Sequence, residues 1–151
     1  MEKHFFNVNI EWQKERMGTM SSPELTIEGS NDANSIQVAT PPPFPKGMPN
    51  IWSPEHLFTA SVSSCLMTTF LAIAENSKLD FSGFRCNSTG VMEKVNGKFL
   101  MTEITLKVTV SIKEKKDRER AERIVEKSEA ACLISNSIKS KTSLDVTIKI
   151  N

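Results

Sequence analysis

The fold of this chain is decided by the run SPEHLFTASVSSCLMTTFLAIAENS, residues 53–77. Ser53 is a good helix N-cap, Pro54 takes the first helical position, and Glu55 lies in the first turn. The 18 residues from Leu57 to Ala74 carry no charge, which reaches the lower limit of a membrane span. Six hydroxyl side chains and the absence of basic flanks instead favour a helix buried within protein. We therefore predict one long buried helix over 53–77 and no membrane insertion.

Short strands are predicted before this helix. The segment His4–Trp12 alternates apolar and polar side chains, and 25–28 and Ser35–Ala39 are further strand candidates. The prolines of Thr40–Pro49 then predict an irregular surface loop, because proline fixes φ and disfavours helix in the residue before it.

A hairpin, a second helix and a last strand are predicted after it. Asn96-Gly97 is a strong hairpin signal, and it joins two strand candidates. The elements predicted from here on are strands Phe84–Val95 and Lys98–Ile112, a helix over 113–131, a turn with a short helix over 133–140, and strand Leu144–Ile150. This order predicts a single α+β domain over residues 1–151.

Composition excludes several classes of function. Lys plus Arg is 19 and Asp plus Glu is 18, so the formal charge of +1 gives no basis for binding nucleic acid or an anionic membrane. The two histidines and three cysteines lack metal-ligand spacing, and no glycine loop for a nucleotide is present. We expect no metal and no cofactor. The first ten residues lack the apolar core of a signal peptide, so we expect a cytoplasmic protein with reduced thiols.

Three segments carry a family resemblance. The segment Trp52–Cys65 has the P-E-x-L pattern followed by a cysteine, Ala130–Asn136 contains a second cysteine, and Glu15–Gly18 places an arginine near the start. Together they resemble the OsmC/Ohr family, named for osmotically inducible protein C and organic hydroperoxide resistance protein. The resemblance implies an OsmC-like α+β fold with antiparallel sheets around the long central helix. It also implies an intertwined homodimer with active sites at the subunit interface.

The resemblance further implies a peroxidase that reduces hydroperoxides, organic ones above all. Cys65 would be the peroxidatic thiol, Cys132 the resolving thiol, and Arg16 with Glu55 the polar pair that activates the thiolate and positions the peroxide. A lipoyl-type or thioredoxin-type dithiol would reduce the resulting disulfide. Family members usually have proline directly after the second cysteine, whereas this chain has Leu133, which leaves the backbone freer there.

The chemistry of peroxide reduction fits these residue types. It needs a thiolate, which becomes a sulfenic acid, and a second thiol that condenses with it. Glu55 and Cys65 are ten residues apart, about 15 Å along one helix, so their side chains cannot meet within one subunit. We therefore expect each site to take Cys65 and Cys132 from one chain, and Arg16 with Glu55 from the other. Cys86 lies in a strand and is interpreted as structural.

An apolar patch precedes the helix, and it offers candidates for substrate binding. If its loop folds over the site, the patch would hold the alkyl group of an organic hydroperoxide. Packing of the loop itself explains the same residues equally well. The candidates are Phe44, Met48, Ile51 and Trp52.

Two other functions remain open at this point. A long buried helix wrapped by antiparallel strands also describes acyl-thioester hydrolases of the hot-dog type, although these do not need paired cysteines. A non-catalytic dimeric binding protein that retains the OsmC-like fold is the other alternative. It predicts that Cys65 and Cys132 never form a disulfide.

Overall fold

The computed structural model describes residues 1–25 and 34–151. The chain divides into two compact units, Met1–Leu57 and Phe58–Asn151, and each is described by itself. The single domain expected over residues 1–151 stays a prediction.

The first unit contains a three-stranded antiparallel sheet in the order β1-β2-β3. Its strands are β1 Asn9–Lys14, β2 Met17–Ser21 and β3 Ile36–Ala39. The first predicted strand thus begins later and runs further than its apolar alternation indicated, and β2 was not anticipated as a strand. In the candidate strand 25–28, Leu25 ends a 3₁₀ turn, and the other residues lie outside the described part of the chain.

The segment between β3 and the long helix is a loop, as its prolines predict. Backbone hydrogen bonds hold its turns, from Gly47 N–H to the Phe44 carbonyl (3.0 Å) and from Met48 N–H to the Thr40 carbonyl (2.8 Å). The Ala39 N–H donates to the Trp52 carbonyl (2.8 Å), which ties the end of the loop to β3.

The long helix, α1, spans Pro54–Asn76 and confirms the prediction to within a residue at its end. The Ser53 hydroxyl accepts a hydrogen bond from the His56 N–H (3.2 Å), so Ser53 is the N-cap. The helix ends where Lys78 adopts a left-handed conformation (φ 53°) and the chain turns into the next strand.

The second unit contains a mixed three-stranded sheet in the order β4-β5-β6. Strands β4 (Phe81–Val95) and β5 (Lys98–Ile112) form the predicted hairpin, and both of its turn residues, Asn96 and Gly97, have positive φ. Strand β6 (Lys141–Ile150) pairs with β5 in parallel. The prediction of antiparallel sheets therefore holds for the other strand pairs and is corrected for this one.

The parallel pairing follows from the connection between β5 and β6. Helix α2, Arg118–Ala130, carries the chain back along the sheet, as a parallel pair requires. It begins later than the predicted residue 113, because Glu114 is extended (φ −101°, ψ 120°) and a 3₁₀ turn, Lys115–Asp117, precedes the helix. A second 3₁₀ turn, Ser135–Ser137, is the short helix predicted between α2 and β6.

The core of the second unit lies between the sheet and the two helices. By length and composition α1 resembles a membrane span. Only one of its faces packs into this core, so the predicted burial of the helix holds for that face alone. The opposite face leaves Met67 39% and Leu71 42% exposed. The buried side chains of this core are Val62, Leu66, Phe70 and Ala74 of α1, Leu79 after it, Ala121, Ile124 and Val125 of α2, Ile104, Leu106, Val108, Val110 and Ile112 of β5, and Ile148 of β6.

Candidate functional site

Two cysteines distant in sequence meet in the second unit. Cys65 lies near the middle of α1 and is half-buried, whereas Cys132 follows the end of α2 and is fully buried. The Cys132 thiol donates a hydrogen bond to the Cys65 sulfur. Both cysteines are free thiols, so the structure represents the reduced form of a pair already in contact.

Three further donors surround the Cys65 sulfur. They are the backbone N–H groups of Ile134 and Leu133, in the loop after α2, and the hydroxyl of Thr69, one turn further along α1. Burial raises the pKa of the Cys65 thiol, but the hydrogen bonds from Cys132, Ile134, Thr69 and Leu133 favour the thiolate and bring the pKa below its ordinary value. Cys65 is therefore the more nucleophilic thiol of the pair.

The partner thiol has the opposite tendency. Burial raises the pKa of the Cys132 thiol, and hydrogen bonds with the side chain and backbone of Ser135 oppose this rise. The smaller effects of its hydrogen bond to Cys65 and of the charge of a Cys65 thiolate add to the rise, so the pKa lies above its ordinary value. Of the two thiols, Cys65 is thus the one that ionises at the lower pH. The peroxidatic role of Cys65 and the resolving role of Cys132, which the family resemblance implies, stay predictions.

The third cysteine lies in a different environment. Cys86 is half-buried in β4 and packs against the apolar core. Burial, and then the negative charge of Glu129, raise the pKa of its thiol to about 11. Such a thiol is un-ionised at neutral pH, which fits a structural residue.

Arg16 lies in the first unit, in the turn between β1 and β2, with an exposed side chain. Its carbonyl accepts a hydrogen bond from the Thr40 N–H (3.1 Å), and the Trp12 indole N–H donates to the neighbouring Glu15 carbonyl (3.1 Å). Arg16 and Trp12 help to line a cavity of about 670 Å³ whose wall also includes Met17. The turn therefore presents a guanidinium beside an apolar surface.

Glu55 also belongs to the first unit, where it is half-buried in the first turn of α1. Its neighbour His56 is exposed, and the His56 Nδ1 lies 2.6 Å from the Ser53 hydroxyl. This contact with the N-cap residue explains the position of His56 at the start of α1 without a catalytic role. The four predicted site residues thus form two groups, Cys65 with Cys132 in one unit and Arg16 with Glu55 in the other.

The four candidate substrate residues all lie in the loop before α1. Phe44, Met48 and Ile51 are half-buried, whereas Trp52 is 52% exposed and packs edge-on against the His56 ring. Ile51, Trp52 and His56 help to line a cavity of about 330 Å³. The loop therefore presents an exposed aromatic side chain at the start of α1.

The donors on Cys65 were not identified from the sequence. Thr69 could have been, because a residue four positions after Cys65 lies on the same helix face. The N–H groups of Leu133 and Ile134 could not, because they reach the sulfur through the conformation of the loop rather than through a side-chain pattern.

Solved structures resemble the whole of this chain. An OsmC-like protein of unknown function from Vibrio cholerae matches with a TM-score of 0.81 at 22% identity, covering 96% of this chain and 100% of that one. An organic hydroperoxide resistance protein from Elizabethkingia anophelis matches with a TM-score of 0.74 at 18% identity, covering 99% of both chains. The fold is therefore the OsmC-like α+β fold.

The sequence comparisons agree with this class. The uncharacterised protein YmaD of Bacillus subtilis (strain 168) is 24% identical over 99% of this chain and 97% of its own length. The profile of OsmC-like proteins matches residues 47–147. The chain belongs to the OsmC-like family, as the resemblance of its cysteine motifs indicated.

Proposed function

We propose that this protein is a thiol-dependent peroxidase that reduces organic hydroperoxides. The observation that carries the proposal is a pair of free cysteines in which hydrogen bonds, that of Cys132 foremost, lower the pKa of Cys65. The similarity in fold to an organic hydroperoxide resistance protein supports it. Because the chain is OsmC-like, a hot-dog thioesterase is not proposed.

In the first step the Cys65 thiolate attacks the outer oxygen of the hydroperoxide. The S–O bond forms as the O–O bond breaks, which leaves a sulfenic acid on Cys65 and an alkoxide that takes a proton and leaves as the alcohol. The guanidinium of Arg16, ordered by the Glu55 carboxylate, would bind the peroxide oxygens and stabilise this leaving charge.

In the second step the Cys132 thiol attacks the sulfenic sulfur. The disulfide forms, the sulfur–oxygen bond breaks, and the hydroxyl leaves as water with the proton from Cys132. The contact between the two sulfurs supports this step, because the resolving thiol needs little movement to reach its target. Rapid closure also protects Cys65 from further oxidation.

An external dithiol of the lipoyl or thioredoxin type would complete the cycle. It gives two electrons and two protons to the disulfide, so that Cys65 and Cys132 return to free thiols and the donor leaves as its own disulfide. Such a donor pool is maintained in reducing compartments, and we place the protein in the cytoplasm on this basis.

We propose that the working form is a homodimer, in which Arg16 and Glu55 of one subunit complete the cysteine pair of the other. Support comes from apolar surface that a single chain leaves exposed. It includes Met67 and Leu71 on α1, and Ile10 and Trp12 on one face of β1. Exposed apolar side chains of this kind, present in each unit by itself, are typical of interfaces.

A preference for organic hydroperoxides is proposed from the loop before α1. Phe44, Met48, Ile51 and Trp52 offer an apolar surface on which an alkyl group could be buried. We expect cumene hydroperoxide to react faster than hydrogen peroxide, and substitution of the exposed Trp52 by Ala to reduce this preference without removing the reaction. Equal rates for both peroxides in the wild type would contradict it.

Counting free thiols tests the proposed reaction. Reduced protein is mixed with a slight excess of cumene hydroperoxide, and thiols are then titrated under denaturing conditions. We expect the wild type to lose two of its three thiols and the Cys65→Ser variant to lose none. A wild type that keeps all three would refute the peroxidase and favour the non-catalytic binding protein.

Mixed dimers test the shared site. Cys65→Ser and Glu55→Gln chains carrying different tags are co-expressed, and the heterodimer is purified. If the sites are shared, one site of the heterodimer combines Cys65 and Glu55 from different chains and is intact, so about half of the wild-type activity is expected, although both variant homodimers are impaired. A heterodimer no more active than those homodimers would show that each chain serves its own cysteine.

A further inference from the structure

The C-terminus of α1 receives from α2 a cation that α1 itself lacks. The last turn of α1 contains no basic residue, although the carbonyl groups at a helix C-terminus carry partial negative charge and lack partners within the helix. The guanidinium of Arg120, in α2, supplies both charge and donors. Its Nη1 donates to the Ser77 carbonyl (3.0 Å) and its Nη2 to the Lys78 carbonyl (3.2 Å). Arg120 thus joins the first turn of α2 to the end of α1.

The position of this guanidinium is fixed from a second side. Its Nη2 lies 3.6 Å from the Asp117 carboxylate, and the Asp117 side chain is only 20% exposed. The Arg120 Nε is buried as well. A planar guanidinium held by two carbonyls and a carboxylate has little freedom to shift, so this contact defines how α2 lies along α1.

The same two helices meet again at the cysteine pair. Ser77 follows Cys65 by twelve residues, and Cys132 follows Arg120 by twelve residues. Twelve residues of α-helix extend about 18 Å, so two helices that run in opposite directions can make both contacts at once. The core side chains that lie between the two contacts in sequence are Leu66, Phe70 and Ala74 of α1 and Ala121, Ile124 and Val125 of α2.

A second arginine of the same turn makes a different connection. The Arg118 Nη1 donates to the Ile148 carbonyl of β6 (3.3 Å). Arg118 therefore holds α2 against the sheet, whereas Arg120 holds it against α1. Of these two contacts, the one made by Arg120 relates the helix that precedes Cys132 to the helix that carries Cys65.

We infer that Arg120 is a positioning residue, which fixes α2 along α1 and so keeps the Cys132 thiol within reach of Cys65 for disulfide formation. The inference rests on the proposed function for its catalytic meaning, because disulfide formation is the second step of that reaction. Its physical content is an effective concentration, the strength with which the fold presents one thiol to the other. Without the guanidinium, α2 keeps its contact with the sheet but can shift along α1, and Cys132 shifts with it.

Equilibration with glutathione measures this effective concentration without peroxide. In a Cys86→Ser protein, the two remaining thiols and one glutathione disulfide give the Cys65–Cys132 disulfide and two glutathione thiols. The equilibrium constant of this exchange is the effective concentration of the pair. We expect Arg120→Ala to lower it about three- to tenfold, well within what hydrogen bonds from a charged donor contribute. Arg120→Lys keeps the charge and should recover part of the loss.

Arg118→Ala is the matched control, because it removes a hydrogen bond from the same turn of α2 to a carbonyl outside α1. It should keep the wild-type effective concentration. Urea denaturation of the reduced proteins shows that each variant is folded and how much stability it has lost. A merely structural Arg120 would lower stability alone. An unchanged effective concentration in Arg120→Ala, or an equal fall in Arg118→Ala, would overturn the inference.

A second measurement needs no substitution at Arg120, so it does not depend on how well that variant folds. Linkage is reciprocal, so a disulfide that is favoured by the Arg120 contact must favour that contact by the same factor. In the Cys86→Ser protein, exchange of the Arg120 guanidinium protons with solvent, followed by ¹⁵N NMR, should slow about three- to tenfold when the disulfide forms. The Arg118 guanidinium should keep its rate. Equal rates for Arg120 in the reduced and oxidised protein would also overturn the inference.

These experiments are separable from the test of the proposed function. Neither uses peroxide, so a protein that behaves as expected here yet loses no thiols to cumene hydroperoxide would refute the peroxidase and leave the positioning role of Arg120 standing. The reverse outcome would leave the peroxidase standing and refute this role.

Discussion

Cys65 and Cys86 are both half-buried in the same unit, yet their surroundings act on them in opposite directions. The pKa of Cys65 is lowered despite burial, whereas burial and the charge of Glu129 raise the pKa of Cys86 to about 11. Burial raises the pKa at both sites, so burial cannot account for the lowered pKa of Cys65. Hydrogen bonds lower the pKa of Cys65, whereas no hydrogen bond contributes at Cys86 and the charge of Glu129 adds to the rise.

The secondary structure around each cysteine explains why hydrogen bond donors reach one sulfur and not the other. Cys86 lies in β4, where backbone N–H groups lie in the plane of the sheet and side chains stand across it, so its sulfur faces apolar side chains of the core. Cys65 faces the loop after α2, where the chain leaves its helix and exposes unused N–H groups at Leu133 and Ile134. A loop at a helix end can thus activate a thiol that a strand would leave inert.

Removal of the proposed resolving thiol should have the largest effect on the chemistry of Cys65. In Cys132→Ser, the sulfenic acid formed on Cys65 has no thiol to close on, and excess cumene hydroperoxide should convert it to the sulfinic acid. We expect nearly complete, irreversible oxidation of Cys65, measured by mass spectrometry as the addition of two oxygens. Cys86→Ser should behave as the wild type. If the Cys86 substitution caused the same over-oxidation, Cys86 would be the resolving thiol.

Alkylation rates measure the difference in reactivity between Cys65 and Cys86 without any peroxide. At pH 8 a thiol with a pKa of about 11 is ionised to about one part in a thousand, and one with a pKa below 9 to about a tenth or more. The higher intrinsic nucleophilicity of the Cys86 thiolate offsets part of this gap. We expect iodoacetamide to modify Cys65 at least about tenfold faster than Cys86, followed by peptide mass spectrometry.

The pH dependence of this ratio has a definite sign. Above its own pKa, Cys65 is fully ionised and its rate levels off, whereas the Cys86 rate continues to rise about tenfold per pH unit until its pKa is reached. The ratio should therefore fall as the pH rises above 9. A ratio near one at pH 8 would contradict the assignment of the two environments.

Much of the fold around the cysteines could be predicted from the sequence, but the cause of the difference between Cys65 and Cys86 could not. The capped apolar run that begins at Ser53 predicted α1, and Asn96-Gly97 predicted the hairpin, because capping and turn preferences are local. The resemblance of the cysteine motifs to those of the OsmC/Ohr family predicted that Cys65 and Cys132 belong together. The hydrogen bond from the Leu133 N–H to Cys65 depends on the backbone conformation of a few loop residues. The pattern of side chains in the sequence does not predict that conformation.

The parallel pairing of β6 could not be predicted for a related reason. Alternation over Leu144–Ile150 indicates a strand and its buried face, but not the direction in which it pairs. That direction depends on α2 returning the chain along the sheet. Arg16 and Glu55 could be predicted as candidates by resemblance only, and the roles proposed for them depend on the proposed dimer.

A substitution in β4 should lower the stability of the protein without changing the chemistry of its thiols. A Cβ added at Gly90 of β4 would overlap the Thr59 hydroxyl and lie 2.8 Å from the Met101 methyl group, whereas one at Gly83 would meet nothing closer than 3.5 Å. We expect Gly90→Ala to lower the free energy of unfolding by about 1–3 kcal/mol, as overpacking does, and Gly83→Ala to change it much less. Urea denaturation measures both. Equal effects would show that α1 can move away from β4 at little cost.

The smallest expected effect concerns the loop after α2, where Asn136 connects the 3₁₀ turn Ser135–Ser137 to the end of α2. Its side-chain amide donates to the Ala130 carbonyl (3.1 Å), one of the carbonyls that a helix end leaves without an internal partner. Because Asn136 is exposed, Asn136→Ala should cost only about 0.5–1.5 kcal/mol, the usual net value of one hydrogen bond. The loop that carries the N–H groups of Leu133 and Ile134 would nevertheless lose an anchor.

We therefore expect Asn136→Ala to slow the alkylation of Cys65 about two- to threefold, since loss of well under 1 kcal/mol of thiolate stabilisation suffices for that, and to leave Cys86 unchanged. Asn87→Ala, at an exposed asparagine beside Cys86, is the matched control and should affect neither thiol. If Asn136→Ala lowered stability as expected but left the Cys65 rate intact, the donors would be held by the turn itself, through contacts such as that of Ser137 with Leu133. If the Cys86 rate changed as well, the variant would be loosening the whole unit, and the two thiols would not be under separate local control.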